Sequence, residues 1–327
     1  MKRHLAFITA AVLALTTLGG LTGCTSNSPA PAPSGTTTTA TPDATPTTVS
    51  VVDPTGRTVT LDGPARAIVG LTASDIEIIY ALGAGAAVVG RGEYCDYPAE
   101  VASVPVVQSG SETNIEQIIA LKPDIVFMNT MAQSQEQMDK LAQAGIAVFV
   151  SNASTIAETY DVITLMGDLL GAGAQAKAAS IVATMTATFT ELQADATAKI
   201  AGGATPPSIY FEVSPLQYGL WAAGKNTFMD EVATMLQLKN TFADVDGWAA
   251  VSEEQVLQRQ PDVILTVTMY FGDGPTPVEE IAQRPGWAAV PAVANGKILN
   301  LTNNELSRPG PRLTDGAKAL YDFVYGA

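Results

Sequence analysis

The sequence is poorest in histidine and cysteine, and this shortage excludes several kinds of active site. Its 327 residues contain one histidine, His4, and two cysteines, Cys24 and Cys95. Beyond residue 4, Ser-His-Asp or Cys-His catalysis therefore lacks its base, and zinc or haem sites built on imidazole lack their ligand. The composition therefore argues against these kinds of enzyme, and we expect no catalytic residue, no metal ligand and no resident cofactor.

Cationic residues are scarce as well. The chain has 17 lysines and arginines against 32 aspartates and glutamates, which gives a formal net charge of −15. Phosphate backbones repel a chain of this charge, so nucleic acid is a poor candidate partner. The same charge keeps the chain away from anionic lipid headgroups unless a covalent group holds it there.

The long apolar run of this sequence lies at the N-terminus. Lys2 and Arg3 precede an apolar stretch at residues 5–18, which is typical of a signal peptide and shorter than the about 20 residues that span a bilayer. The stretch leads to Leu-Thr-Gly-Cys at residues 21–24, which resembles a bacterial lipobox. We expect residues 1–23 to be a signal peptide and Cys24 to be acylated; the alternative is an ordinary secretory signal with an incidental cysteine.

Composition and periodicity predict the organisation of the rest. Residues 24–48, mostly Thr, Pro, Ala and Ser, are expected to be a disordered tether. A turn signal at residues 54–56 predicts a hairpin, and the strand-like and helix-like stretches that follow are typical of βαβ units. Residues 174–200 lack Gly and Pro and predict one long helix. This helix either braces two lobes, at 49–173 and 201–327, or is a crossover helix within one domain.

Two segments of the chain share one pattern. Residues 114–126 and 252–264 each contain a helix-capping residue, Glu, Gln, an apolar helix face, Pro-Asp and a strand, so Glu116 corresponds to Glu254. Two lobes built on the same supersecondary plan would produce this repeat.

Several further motifs accompany the two repeats. They are Leu71–Gly83, Tyr94–Pro98, Gly224–Asn226 and Ser307–Arg312. In this order and spacing, the motifs and the repeats resemble those of the periplasmic binding proteins that serve cobalamin and iron(III)-siderophore importers. The resemblance implies an α/β fold with two Rossmann-like lobes joined by one long bracing helix, and a ligand cleft between the lobes.

The resemblance also implies a role for the two repeated glutamates. In this family one surface glutamate on each lobe docks onto arginine pockets of an ABC permease dimer, and Glu116 and Glu254 match those positions. The alternative is that each glutamate only complements its helix dipole, which is worth about 0.3–1 kcal/mol.

Aromatic and cationic residues follow the predicted strands, where ligands bind in open α/β sheets. Flat aromatic faces suit a macrocycle or an aromatic chelator, and arginines suit carboxylate, phosphate or catecholate oxygens. Tyr97 and Trp248 could instead pack within the protein, and Arg308 and Arg312 could instead be solvated surface residues. Cys95 is interpreted as a buried thiol. The candidate ligand-binding residues are Tyr94, Tyr97, Tyr218, Trp221, Trp248, Arg308 and Arg312.

These inferences lead to one leading interpretation. We expect a monomeric extracytoplasmic protein, anchored to the cell membrane by its lipid alone, that delivers a metal chelate to an ABC importer. The chelate is a corrinoid or an iron(III)-siderophore. A haem receptor with Tyr or Met ligation, a sensor or adhesion module on the same fold, and an enzyme using carboxylates remain as alternatives. The carboxylates in question are Glu77, Asp96, Glu212 and Glu305.

Overall fold

The structure, a computed structural model, describes residues 48–326 apart from 111, 131–133, 271, 273, 302 and 303. The predicted signal peptide, the predicted acylation site Cys24 and all but the last residue of the predicted tether lie outside the described residues. Within those that it describes, no helix combines the length and the hydropathy needed to cross a bilayer.

The folded part opens with the predicted hairpin. Strands β1 (Val49–Val52) and β2 (Thr58–Leu61) pair antiparallel. The Asp53 carboxylate holds the turn, because its Oδ1 accepts hydrogen bonds from the backbone amides of Thr55 and Arg57. Its Oδ2 accepts one from the amide of Val150, which ties the hairpin to the first sheet.

The first sheet has four parallel strands in the order β4-β3-β5-β6. They are β3 (Ile68–Gly70), β4 (Val88–Arg91), β5 (Ile125–Met128) and β6 (Ala147–Val150). The associated helices are α1 (Ala73–Ala81), α2 (Ile115–Leu121), α3 (Gln135–Gln143) and α4 (Ile156–Leu170). All four residues of β5 are buried, as expected for a parallel strand covered on both faces.

A 30-residue helix, α5 (Ala172–Ala201), connects this lobe to the second one. At 1.5 Å per residue it is about 45 Å long, enough to run along both lobes. It begins two residues before the predicted start because Gly173 is accommodated in its first turn. Helix α4 packs closely beside it, since a Cβ on Gly167 would lie 2.8 Å from the Cβ of Ala178.

The second sheet is mixed rather than parallel throughout. Its path is β10-β8-β7-β11-β12, with β9 beside the start of β7, and β8 runs antiparallel to both β7 and β10. The strands are β7 (Ser208–Ser214), β8 (Trp221–Ala223), β9 (Lys239–Asn240), β10 (Trp248–Ala250), β11 (Val263–Thr266) and β12 (Ile298–Asn300). The helices are α6 (Phe228–Met235), α7 (Glu253–Arg259), α8 (Pro277–Gln283), α9 (Pro291–Ala294) and α10 (Leu313–Tyr325).

One continuous apolar core joins the two lobes. It includes Phe127 of the first sheet, Met185 and Phe189 of α5, and Phe211 of the second sheet, all at most 5% exposed. Two smaller apolar clusters lie on the outer faces, one for each sheet. The predicted architecture of two α/β lobes on a bracing helix is therefore confirmed.

Backbone contacts also connect the lobes near the start of α6. The amide of Phe228 donates to the carbonyl of Ser154 at 2.6 Å. In the other direction, the amide of Ile156 donates to Glu231 Oε2 at 2.6 Å. These bonds fasten the first turn of α6 to the first turn of α4.

Candidate functional site

The loops at the carboxyl edges of the two sheets form the candidate site. Residues 92–98 follow β4, residues 215–220 follow β7, the described residues among 267–276 follow β11, and the described residues among 301–312 follow β12. The last of these loops touches the first lobe, because Arg308 donates to the carbonyl of Tyr94 at 3.3 Å and the Gly310 position adjoins Ile78. The carboxyl edges of the two sheets therefore face one another, as ligand clefts in α/β proteins require.

Several of the predicted ligand-binding aromatics lie on these loops with their rings in solvent. Tyr94 is 70% exposed and Tyr218 is 77% exposed, so neither ring is used in packing. Trp221, the first residue of β8, is also exposed and pairs with Ser214 at the carboxyl end of β7. The structure thus gives each lobe unburied aromatic faces at its carboxyl edge.

The other two predicted aromatics have partners within the protein. The Arg312 guanidinium lies 4.0 Å from the ring centroid of Tyr97, which leaves that ring about half exposed. Trp248 is half-buried and packs against Phe228, with the ring centroids 5.2 Å apart. The contacts of Trp248 are those of the packing alternative, and its contact with a ligand stays a prediction.

Arg308 and Arg312 both bind the buried carboxylate of Glu77, on α1 of the opposite lobe. Arg312 Nε and Nη2 donate to the two Glu77 oxygens at 2.8 and 2.7 Å, and Arg308 Nη1 donates to Oε1 at 2.8 Å. The Glu77 side chain is 2% exposed, and the arginines are 12% and 10% exposed. Burial lowers the pKa of both arginines, but the hydrogen bonds to carboxylates outweigh it and leave each pKa above the ordinary value.

Two further carboxylates complete what we call the interlobe cluster, consisting of Glu77, Asp96, Glu305, Arg308 and Arg312. Asp96 Oδ1 accepts from Arg308 at 2.5 Å, and Glu305 Oε1 lies 4.0 Å from Arg312. The two arginines predicted to bind ligand anions are thus already bound to carboxylates of the protein. Sequence reasoning treated Glu77 only as an enzyme carboxylate, although its position between Ile76 and Ile78 in an apolar helix was a sign of a paired buried charge.

Two titratable groups lie buried beside this cluster. Cys95 is buried, which confirms its interpretation as a buried thiol, and burial raises the pKa of this thiol to about 12. Burial also raises the pKa of Asp75 to about 6, despite hydrogen bonds to Ser151 and Thr72. In the described part of the chain, His, Cys, Asp and Glu form no group of three that would hold a metal ion.

Sequence reasoning missed two exposed side chains at the same edge. Met269 and Tyr270 lie in the loop after β11 and are 36% and 40% exposed. The signal was available, since β11 was predicted and residues after a parallel strand lie at its carboxyl edge. Arg91, at the end of β4, is anchored to backbone carbonyls of Val101 and Gly92.

The two repeat segments have nearly the same local structure. Asn114 and Ser252 cap α2 and α7, and both helices end in a left-handed residue, Lys122 or Gln260, directly before Pro-Asp. Asp124 then accepts from backbone amides of residues 66 and 67 before β3, and Asp262 accepts from the amide of Ser208 at the start of β7.

Glu116 and Glu254 lie in the first turns of α2 and α7 and are exposed. Both helices run back across their sheet to the start of the next parallel strand, so their first turns lie at the carboxyl edges. The pKa of Glu254 is lowered because its own amide and the Ser252 hydroxyl donate to it. Each lobe thus carries one exposed glutamate at an equivalent position on the side of the candidate cleft.

The sequence pattern of a family described as periplasmic binding proteins matches residues 68–305, which include both sheets and the long helix. The chain belongs to this periplasmic binding protein family. Members of the family are solute-binding proteins, so the predicted class of protein and its extracytoplasmic site of action are confirmed at that level.

Three relatives illustrate the family. An uncharacterised ABC transporter substrate-binding lipoprotein of Bacillus subtilis is 32% identical over 280 residues, which are 85% of each chain. The structure of a possible iron-binding periplasmic solute-binding protein of Staphylococcus epidermidis is 29% identical, with a TM-score of 0.64 over 80% of this chain and 99% of that one. The periplasmic vitamin B12-binding protein of Vibrio cholerae is 27% identical, with a TM-score of 0.64 over 80% and 97% of the two chains.

Proposed function

We propose that this periplasmic binding protein captures a metal chelate, either a corrinoid or an iron(III)-siderophore, and delivers it to an ABC importer. The observation that carries the proposal is the set of exposed aromatic faces, Tyr94, Tyr218 and Trp221, at the facing edges of the two lobes. Exposed aromatic rings at a rim suit the flat or apolar face of a large chelate. The vitamin B12-binding and possible iron-binding relatives support the same ligand classes.

Tryptophan fluorescence tests this proposal directly. We would titrate the detergent-solubilised full chain with cobalamin, ferric hydroxamates, ferric catecholates and haem, with an inner-filter correction. Saturable quenching by one class is expected, because Trp221 lies at the rim and coloured chelates quench indole. Trp221→Phe should remove most of the signal without removing binding by calorimetry. Failure of every chelate to bind, by either method, would contradict the proposal.

The docking role of Glu116 and Glu254 is the second part of the proposal. A two-fold symmetric permease dimer offers two equivalent contact points, and two equivalent glutamates on two lobes match that symmetry. Replacing both by glutamine should abolish chelate uptake by cells while the affinity of the purified chain for the chelate stays the same. Asp139→Asn together with Asp195→Asn is the matched control, since it removes the same charge from exposed positions elsewhere. Equal loss of uptake in the control would argue against a specific docking role.

The attachment of the chain to the membrane is the third part. We propose that Cys24 is acylated and that the residues up to Thr48 act as a flexible tether. Cys24→Ala should then release the protein from the membrane fraction, and intact-mass spectrometry of the wild-type protein should show a lipid on a chain starting at Cys24. An unmodified cysteine in the mature protein would disprove the anchor without touching the ligand proposal.

A further inference from the structure

We infer that the cleft selects chelates that carry no net negative charge, so that neutral or cationic chelates bind and anionic catecholates or carboxylates are rejected. This inference rests on the proposed function and specifies its ligand class. It follows from the pairing of the arginines at the cleft edges with carboxylates of the protein.

The first step is the state of the two strongest candidate anion ligands. An arginine recognises an anion by directing its fork of N–H donors at the anion's oxygens. Arg312 donates to Glu77 through both Nε and Nη2. Arg308 donates to Glu77, to Asp96 and to the Tyr94 carbonyl. Because Glu77 is almost fully buried, a ligand anion would have to compete with a carboxylate that cannot move into solvent.

The second step is the charge of the remaining edge. In the described parts of the loops after β5, β6, β7 and β11 there is no lysine or arginine. Arg91 adds one positive charge at the end of β4, but its Nε and Nη1 donate to backbone carbonyls, and Glu93 and Asp96 lie in the loop that follows. The cations of the edge are therefore matched or outnumbered by carboxylates.

The third step is the field of the whole chain. With a formal net charge of −15, the protein repels anions at long range and attracts cations. The first turns of α2 and α7, which adjoin the edges, add Glu116, Glu253 and Glu254 to the negative side. The pairing of the arginines and the net charge of the chain thus both favour neutral or cationic chelates. The exposed aromatic faces can contact a chelate of either charge.

Calorimetry with chelates of similar size and different charge tests the inference on the full chain in detergent. The probes are cyanocobalamin, which is neutral, ferrioxamine B, which is cationic, and ferric enterobactin, a trianionic tris-catecholate. We expect at least one of the first two to bind about tenfold more tightly than the tris-catecholate, or more. Equal or tighter binding of the tris-catecholate would overturn the inference and leave the proposed function standing. No binding of any chelate would instead be a failure of the proposed function.

Variants of the interlobe cluster test the mechanism. Glu77→Gln removes the carboxylate that both guanidinium groups bind, while Asp96 and Glu305 remain, and should raise the affinity for the tris-catecholate about tenfold, with no gain for ferrioxamine B. Asp96→Asn removes one partner of Arg308, at a half-exposed position. The affinity for the tris-catecholate should therefore rise by only about threefold. Asp195→Asn, on the exposed surface of α5, changes the net charge by the same amount as Asp96→Asn and should give no gain.

The comparison of these two aspartates decides the outcome even if Glu77→Gln does not fold. A gain with Asp96→Asn and none with Asp195→Asn supports rejection by local pairing. Equal shifts in the two variants, or no shift in either, would show that the pairing of Arg308 does not set the selectivity.

Discussion

Two buried glutamates of this protein are bound by arginines, one within a lobe and the other between the two lobes. Glu212, on β7, accepts from Arg284 at 2.6 and 3.0 Å within the second lobe, and Glu280 of α8, one turn earlier in the chain, binds the same arginine. Glu77, on α1, accepts from arginines that belong to the other lobe. The first cluster holds α8 to its own sheet, whereas the second joins two lobes across the candidate cleft.

The difference shows how the same charge pairing is adjusted to its place. The Arg284 and Glu212 side chains are 2% and 1% exposed. The Arg284 guanidinium also lies over the Trp287 ring, 4.6 Å from the ring centroid. Burial nevertheless raises the pKa of Glu212, because the hydrogen bonds and charge of Arg284 offset only part of the lost hydration. The interlobe cluster keeps its arginines 10–12% exposed and spreads them over carboxylates of both lobes. Because the interlobe cluster lies beside the cleft, the same arginines join the two lobes and bear on the charge of the ligand.

The largest effect should come from breaking the cluster inside the second lobe. Glu212→Gln leaves Arg284 buried with only Glu280 as an anionic partner, and we expect a loss of about 3–5 kcal/mol in the free energy of unfolding. Urea unfolding followed by the fluorescence of the neighbouring Trp287 measures it. The control is Glu280→Gln, where the carboxylate is 36% exposed and a much smaller loss is expected. Equal losses in both variants would contradict this ranking.

Breaking the interlobe cluster should cost less and act on both lobes. Glu77→Gln is expected to lower the free energy of unfolding by about 2–3 kcal/mol, because the arginines keep some solvent, Asp96 and Glu305. Hydrogen exchange should rise in α1 of the first lobe and in residues 304–312 of the second. In Glu212→Gln the increase should stay within the second lobe. A rise confined to one lobe in Glu77→Gln would argue against a linking role.

A third buried carboxylate sharpens the comparison because it has no arginine. Burial raises the pKa of Asp75 to about 6, so between about pH 4 and 6 the folded protein binds its proton more tightly than the unfolded chain does. This contribution to stability therefore falls as pH rises through that window. Asp75→Asn should raise the free energy of unfolding at pH 7.5 by about 1–3 kcal/mol and have little effect at pH 4. Urea unfolding at the two pH values measures this, and a loss of stability at pH 7.5 would contradict it.

The smallest effect is expected at the outer edge of the interlobe cluster. The Asp96 side chain is 51% exposed, so water and salt screen its pairing with Arg308. Asp96→Asn should change the free energy of unfolding by less than about 1 kcal/mol, and the difference should shrink further at high salt. A loss as large as that of Glu77→Gln would mean that Asp96, and not the buried glutamate, holds the two lobes together.

Much of the fold was predictable because it depends on local pattern. The absence of helix breakers over residues 174–200 predicted α5 to within two residues at each end. The paired segments predicted two similar lobes, and their Pro-Asp turns do make equivalent bonds to neighbouring strands. The antiparallel strands β8 and β10 were missed, since each is Trp-Ala-Ala and lacks the β-branched residues that favour strands.

The positions of the rim aromatics follow from sequence order as well, because residues after a parallel strand lie at its carboxyl edge. What those residues contact does not follow from sequence order. Trp248 was grouped with the rim, yet it packs on Phe228 because β10 pairs with β8 at that level of the sheet.

The sequence by itself therefore determined the class of fold, the repeated lobe plan and the near absence of histidine and cysteine. Spacing and composition act over a few turns or strands, and those properties depend on nothing longer. Only the tertiary structure decided the state of Arg308 and Arg312, since Glu77 lies 231 and 235 positions away from them and meets them only when the two lobes pack. Coulomb attraction depends on distance in space, and folding alone sets that distance.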